Sequence, residues 1–309
     1  MTGDIVYWGF WLLVSWSVFH RYNYVRYPAQ NWWMSRRTLF FLVVFFLLWS
    51  VSAAAQPTPL LSPYIDTRVS VVSARGAVVM DADTGDVLWG QQADIPFAVA
   101  SVTKVMTALV VMESDLPLDH PVRILASDVR HASTTYIRAK DTVTVQTLLF
   151  LMLVGSDNAA ARALARETAG TSAAFVCKMN ATAASMGLVR SHFVDPAGLL
   201  SGNIMSGRDA GRLLISAEAH SQSFLHRVFN TQQFSTKIGT RTVVVSNTNR
   251  YLDDGVAASK TGFTSAAKYC LSILFETLNQ KRYAVVVLGA TTSAERFSIA
   301  TMFRTMLSE

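Results

Sequence analysis

Cysteine is scarce: two residues, Cys177 and Cys270, in 309. No Cys-x-x-Cys pair and no Cys/His cluster exists, so a structural or catalytic zinc site is not expected. The six histidines, His20, His120, His131, His192, His220 and His226, are scattered without a nucleophile or acid at partner spacing. That argues against a Ser-His-Asp triad. Basic runs are missing too. Four Arg and one acid fall in residues 1–55, which leaves 23 basic and 20 acidic side chains beyond them. With no basic stripe and no recognition motif, nucleic acid is not an expected partner. Tryptophan is nearly absent after residue 49, where only Trp89 remains of seven. The strongly apolar character is therefore local to the N-terminus, and repeats and low-complexity segments are lacking throughout.

What is present begins with that N-terminus. The apolar run 5–19 has 15 residues, short for a span of about 20. A second run is built like an export signal. Arg36 and Arg37 precede the apolar stretch 39–49, and Ala53-Ala54-Ala55 offers a small-residue cleavage site before Gln56. The expectation is a signal peptide over 34–55, with Met34 as the true start, against a rival reading as an uncleaved membrane anchor. Either way the rest is exported to the periplasm or cell envelope, and N-terminal or peripheral membrane association stays open. Residues 56–74 read as a Pro-containing linker and 75–309 as the main domain. An exported compartment allows Cys177 and Cys270 to pair, although buried free thiols are common.

Beyond the linker, strands are expected at 76–81 and 86–91, joined by the turn signal Asp83-Thr84-Gly85. Helical spacing follows at 101–112, 148–165, 173–186 and 208–219. Strands return at 256–263, 269–276 and 283–288, and a helix at 293–307 ends the sequence. A strand pair, a block of helices, three strands and a last helix make an α+β domain. Its antiparallel sheet joins both ends of the domain, with a helical lobe at about 113–250 between them.

Three short motifs carry chemistry. Ser101-Val102-Thr103-Lys104 opens a helix, so the hydroxyl and the amine three residues on share one face. A serine is a weak nucleophile until a base takes its proton, and a lysine is a base only if its pKa falls. Ser156-Asp157-Asn158 follows an apolar segment, where Ser156 can relay a proton and Asn158 can hold a substrate backbone. Lys260-Thr261-Gly262 lies in a strand. Lys260 supplies a second cation that, beside burial, would help depress Lys104, Lys260 and Thr261 can bind a carboxylate, and Gly262 leaves room for a substrate backbone. Each motif alone is weak. Ser265-Ala266-Ala267-Lys268 and Ser201-Gly202-Asn203 are decoys in turn contexts. Order and context make the case.

Asp195-Pro196 reads as a turn, Arg208 and Asp209 as a structural pair, and Tyr136 as a core or loop aromatic.

Taken together with Asp195-Pro196-Ala197-Gly198-Leu199 and Lys260-Thr261-Gly262-Phe263-Thr264-Ser265-Ala266-Ala267, the motifs resemble the low-molecular-mass penicillin-binding proteins, the serine D-alanyl-D-alanine peptidases. The resemblance runs from about residue 75 to the C-terminus. It implies a five-stranded antiparallel sheet flanked by helices, an all-helical lobe, and no cofactor. It implies that Ser101 is acylated, that Lys104 is its base, and that Ser156 and Asn158 line one wall. Lys260, Thr261, Thr264 and Arg296 would face a substrate carboxylate, with the backbone N–H groups of Ser101 and Phe263 as the oxyanion hole. The implied partners are peptidoglycan peptides, with β-lactams as covalent inhibitors. Asn247-Thr248-Asn249 is most like the endopeptidase branch, which cuts cross-links. D-alanyl-D-alanine carboxypeptidase is the alternative. A class A β-lactamase would need a deacylating Glu, and neither Glu167 nor Glu218 has that context. A non-catalytic sensor or scaffold would have no use for Lys104 and Ser156. Lys268 departs from the family, where Gly is usual.

Overall fold

In the computed structural model the described residues are 69, 71–220, 224–251 and 255–308. The expected export signal, anchor and cleavage site, and most of the linker, lie outside them. No helix among the described residues is long and apolar enough to cross a membrane.

Five strands, β1 (Gly76–Asp81), β2 (Val87–Gln91), β9 (Val256–Thr264), β10 (Lys268–Glu276) and β11 (Arg282–Ala290), form an antiparallel sheet of order β2-β1-β11-β10-β9. The first strand pairs with the last, Val78 opposite Val286, so the two ends of the domain meet at its centre. Strand β1 is a continuous apolar run because both its faces are covered. Ala77 and Val79 meet one core and Val78 and Met80 the other, all fully buried. The connection to β2 follows from Asp81, whose Oδ1 accepts the N–H groups of Asp83 and Thr84, and from Gly85 at φ 77°.

Helix α1 (Thr103–Met112) is the hub of the larger core, with nine of its ten residues buried. Around it lie α2 (Ala126–Val129), α3 (Val145–Val154), α4 (Asn158–Ala169), α5 (Ser172–Ser185), α6 (Gly207–His220) and α7 (Phe224–Phe229). Helix α6 lies between α1 and the sheet, touching both. The C-terminal helix α8 (Ser293–Ser308) covers the other face with Phe297, Ile299, Ala300 and Phe303.

Two expectations need correction. The helix expected over 148–165 is broken, ending at Val154 and restarting at Asn158. Asp157 forces the restart, since its Oδ1 accepts the Ala160 N–H as a helix N-cap. The lobe is also not wholly helical. It contains the pair β4 (Pro121–Arg123) with β5 (Thr142–Thr144), the hairpin β7 (Gln233–Ile238) with β8 (Arg241–Ser246), and β6 (Ile204–Met205), which pairs with β3 (Phe97–Ala98) ahead of the lobe. Phe234 of the hairpin stacks on Phe150 of α3 at 4.4 Å, which fastens the hairpin to the helices. Cys177 is exposed, Cys270 is buried, and the two are unpaired.

Candidate active site

Ser101 sits in a 3-10 turn, Ala100–Val102, that feeds directly into α1. Lys104 is in the first turn of α1 and fully buried. Its Nζ lies 2.8 Å from Ser101 Oγ, 2.7 Å from Asn158 Oδ1 and 2.6 Å from the Ala197 carbonyl. Burial pulls its pKa from 10.5 down to about 7; Asp195 and Asp157 pull the other way, and Arg162 adds a smaller lowering. A neutral amine has two N–H groups, which match Asn158 and Ala197. Its lone pair then faces Ser101 Oγ, the geometry a base needs.

The carbonyl of Ala197 is held by a loop that the sequence identified only as a turn. Asp195 Oδ1 accepts the N–H groups of Ala197, Gly198 and Leu199, and its Oδ2 accepts those of Leu200 and the Asn203 carboxamide. Thr107 Oγ1 donates to the Pro196 carbonyl at 2.7 Å. Gly198 has φ 79°, and a Cβ there would stand 2.0 Å from the Ala100 carbonyl. The family-like segment Asp195–Leu199 carried this signal; the role of its carbonyl was missed because backbone groups leave no mark in residue type.

Ser156 lies in the break between α3 and α4 at φ 60°. Its Oγ accepts from Lys260 Nζ at 3.2 Å rather than from Lys104. Asn158 departs from the expectation that it holds substrate. Its Oδ1 accepts from Lys104, and its Nδ2 donates to Ala132 O at 2.9 Å and Ser133 Oγ at 3.1 Å. Both ends of the carboxamide are committed, so Asn158 fixes the lysine.

Lys260, on β9, is buried and also donates to the Thr261 carbonyl at 3.1 Å. Burial, then the charges of Lys104 and Arg296, hold it well below the usual lysine range. Of the two causes expected for Lys104, burial comes first, and Lys260 is not among the charges that shift it. Thr261 Oγ1 donates to Thr248 Oγ1 at 2.6 Å. A Cβ on Gly262 would lie 2.5 Å from the Val99 carbonyl and 3.1 Å from Ser101 N, so glycine is what lets β9 approach the serine turn. Arg296, at the start of α8, is 8% exposed. Its Nη1 donates to the carbonyls of Gly262 and Cys270, and its Nη2 to Ser293 Oγ. It braces the turn from β9 to β10, with only Nε unpartnered.

These elements enclose a cleft of about 490 Å3. Ser101, Ser156 and Asn158 are on its surface, as are Thr261, Gly262, Phe263, Thr264 and Arg296, while Lys104 and Lys260 stand behind. Among the described residues no carboxylate and no histidine lines it. Glu167 is engaged with Arg166 and His120, and Glu218 with Arg282 and His226. Arg208 pairs with Asp94 rather than with Asp209, which instead accepts from Arg190 N and Ser191 Oγ.

The model of a family described as D-alanyl-D-alanine carboxypeptidase matches residues 65–292. A D-alanyl-D-alanine endopeptidase of Pseudomonas aeruginosa is 31% identical over 277 residues, 88% of this chain and 89% of that protein. The Escherichia coli protein of the same description is 31% identical over 76% of this chain and 77% of its own length. The crystal structure of the Streptomyces K15 DD-transpeptidase superposes with a TM-score of 0.72 at 31% identity, covering 76% of this chain and 97% of that one. Penicillin-binding protein D2 from Listeria monocytogenes, in a cefotaxime-bound form, gives 0.69 at 27% identity. With the motif residues gathered around one cleft and these relatives matched along most of their length, the chain belongs to the D-alanyl-D-alanine carboxypeptidase family, S11.

Proposed function

We propose that this chain is an exported serine DD-peptidase that cleaves D-alanyl bonds in peptidoglycan stem peptides, with cross-links as its preferred target. The observation that carries the reading is the buried Lys104 amine, 2.8 Å from Ser101 Oγ and fixed by Asn158 and Ala197. Ser101 Oγ attacks the D-alanyl carbonyl while its proton passes to Lys104. The oxyanion forms against the backbone N–H groups of Ser101 and Phe263. As the C–N bond breaks, the leaving amine takes a proton delivered by way of Ser156, which Lys260 orients. The ester on Ser101 is then hydrolysed by water, activated by the same lysine. Thr261 and Thr264 face the carboxylate of the leaving residue.

The cross-link preference is supported by the Pseudomonas and Escherichia relatives, both described as endopeptidases. Relatives described as carboxypeptidases, such as that of Streptomyces at 33% identity, make release of a terminal D-alanine the second activity to assay. The export reading rests on the segment 34–55 and on a substrate that lies outside the cytoplasm. A β-lactam ester on Ser101 is expected to be long-lived, because the opened ring stays attached where a peptide amine would depart and so hinders the water that Lys104 activates, and no carboxylate on the described cleft surface offers another base.

The test is intact-mass measurement of the folded protein during incubation with a penicillin. A persistent adduct of penicillin mass on wild type, absent from Ser101→Ala, is expected. Rapid antibiotic consumption with a fleeting adduct would make the protein a β-lactamase. Folded wild type without an adduct would leave it a non-catalytic binding protein.

A further inference from the structure

The leaving end of the cleft holds two guanidinium groups, Arg296 and Arg250, and they are in opposite situations. Arg296 is buried, with Nη1 donating to the Gly262 and Cys270 carbonyls and Nη2 to Ser293 Oγ. Arg250 is exposed on the cleft surface, and among the described residues its side chain makes no hydrogen bond or ion pair. The backbone that presents it is held firmly. Asn249 is 3% exposed, its Nδ2 donates to Ser259 Oγ at 2.8 Å, and its Oδ1 accepts the Tyr251 N–H at 3.0 Å. That is an Asx-turn with Arg250 at its apex. On the other side Tyr251 packs on Phe297 at 4.9 Å, and Thr248 is tied to Thr261. A cation on a fixed turn, beside another cation and with neither a partner nor a lining acid among the described residues, is suited to receive an anion. Burial first, and the nearby Arg250 charge in a smaller way, keep Arg296 below the usual guanidinium range, so the two groups share one electrostatic environment.

The substrate offers such an anion only when the leaving group is large. Released D-alanine carries a single carboxylate, which Thr261 and Thr264 already face. A leaving stem peptide carries further carboxylates beyond the one beside the broken bond. We propose that Arg250 forms a second anion subsite, which takes one of these further carboxylates and so favours cross-linked over monomeric substrate. The identity of the ligand rests on the DD-peptidase reading above.

The experiment compares kcat/KM of wild type, Arg250→Ala and Arg250→Lys on a cross-linked muropeptide dimer and on a monomeric pentapeptide, at low and high ionic strength. The dimer-to-pentapeptide ratio is expected to fall about tenfold in Arg250→Ala, the size of one partly exposed charge-assisted contact, and to recover in part in Arg250→Lys. The gap is expected to narrow at high salt, because an exposed pair is screened. A dimer with its leaving-stem carboxylates amidated is expected to bring wild type down to the Arg250→Ala ratio. Equal losses on both substrates, or none, overturn the subsite. Should wild type cleave neither substrate, the DD-peptidase reading fails on its own. The subsite is then judged from dissociation constants of the dimer in Ser101→Ala and in Ser101→Ala/Arg250→Ala. A loss of about tenfold upholds it, and equal constants overturn it.

Discussion

Lys104 shows how burial sets chemistry at a single side chain. At an ordinary pKa of 10.5, roughly one lysine in three thousand is neutral at pH 7. At about 7, half are. The sign follows from the cause: burial disfavours the ammonium, so the base form gains as pH rises through about 7. Acylation of Ser101 by penicillin is expected to climb with pH along a single ionisation near 7 and then level off. Lys104→Arg is expected to lose about a thousandfold or more, because a guanidinium stays protonated throughout that range. Stopped-flow acylation rates at a series of pH values check both. A profile still rising steeply at pH 9 would remove Lys104 as the base. The Ser101-to-Lys104 spacing revealed this pair in advance, since residues three apart on a helix share a face. Burial was not readable, because it depends on the Asp195–Asn203 loop closing over the amine.

Lys268 is a residue-level departure with a backbone explanation. It sits at φ 58° in the turn from β9 to β10, a conformation that costs a side-chain-bearing residue about 1–2 kcal/mol. Glycine adopts it freely, which accounts for its use by relatives. The turn forms nonetheless, with Lys268 exposed and paired in register with Thr264. Lys268→Gly is expected to raise the melting temperature by about 2–4 °C at most, as glycine's extra chain entropy offsets part of the gain. Its penicillin acylation rate is expected to stay within about twofold of wild type. A melting temperature that falls would show that Lys268 makes a stabilising contact.

Among the elements, the break between α3 and α4 does most to build the site. The apolar and Ala-rich pattern runs on through it, so periodicity alone joined 148–165 into one helix. Gly155, Ser156 and Asp157 interrupt it. Asp157 caps α4 through Ala160 and holds the strand of chain opposite, taking the Tyr136 N–H at 2.6 Å and the Thr135 hydroxyl at 3.2 Å. Asp157→Ala is expected to cost about 2–3 kcal/mol, from a lost cap and an N–H left without its partner. Acylation should slow with it as Ser156 loses its place. Asp157→Asn keeps an oxygen for the cap but removes the charge that helps Lys104 hold its proton. It is expected to keep most of the stability while moving the midpoint of the acylation profile to lower pH. Thermal denaturation beside the pH profile separates the two variants, and an unmoved midpoint in Asp157→Asn would rule out the electrostatic contribution. The β7–β8 hairpin was the longest of the elements that the sequence did not reveal. Its alternation is clear once Gly239 is placed at the turn, but Thr and Val repeats around a lone Gly were not distinctive enough among neighbouring helices.

At the level of the domain, the site exists because two bodies meet. The sheet brings Lys260, Thr261 and Gly262 on β9, the lobe brings Ser156 and Asn158, and Ser101 lies in the turn between them. The α+β order of elements, the sheet that joins both ends and the three motifs were all readable from residue type and spacing. The contacts that turn motifs into a site were not, because they join residues far apart in the sequence: Lys260 of the sheet to Ser156 of the lobe over 104 residues, and Lys104 to Ala197 over 93. The same geography bears on location. A cleft for peptidoglycan peptides is useful only where that polymer is, and the sequence ahead of the domain has a basic start, an apolar run and small residues before Gln56. The native protein is therefore expected in the envelope fraction with Gln56 at its N-terminus, and fusing residues 34–55 to a reporter active only after export should give signal. Changing Ala53 and Ala55 to large residues is expected to leave the longer form attached to the membrane, because the peptidase that trims such segments needs small side chains there. N-terminal sequencing decides the matter: a chain that starts at Met1 or Met34 in the envelope would mean an uncleaved anchor, with the catalytic domain tethered at the surface rather than free.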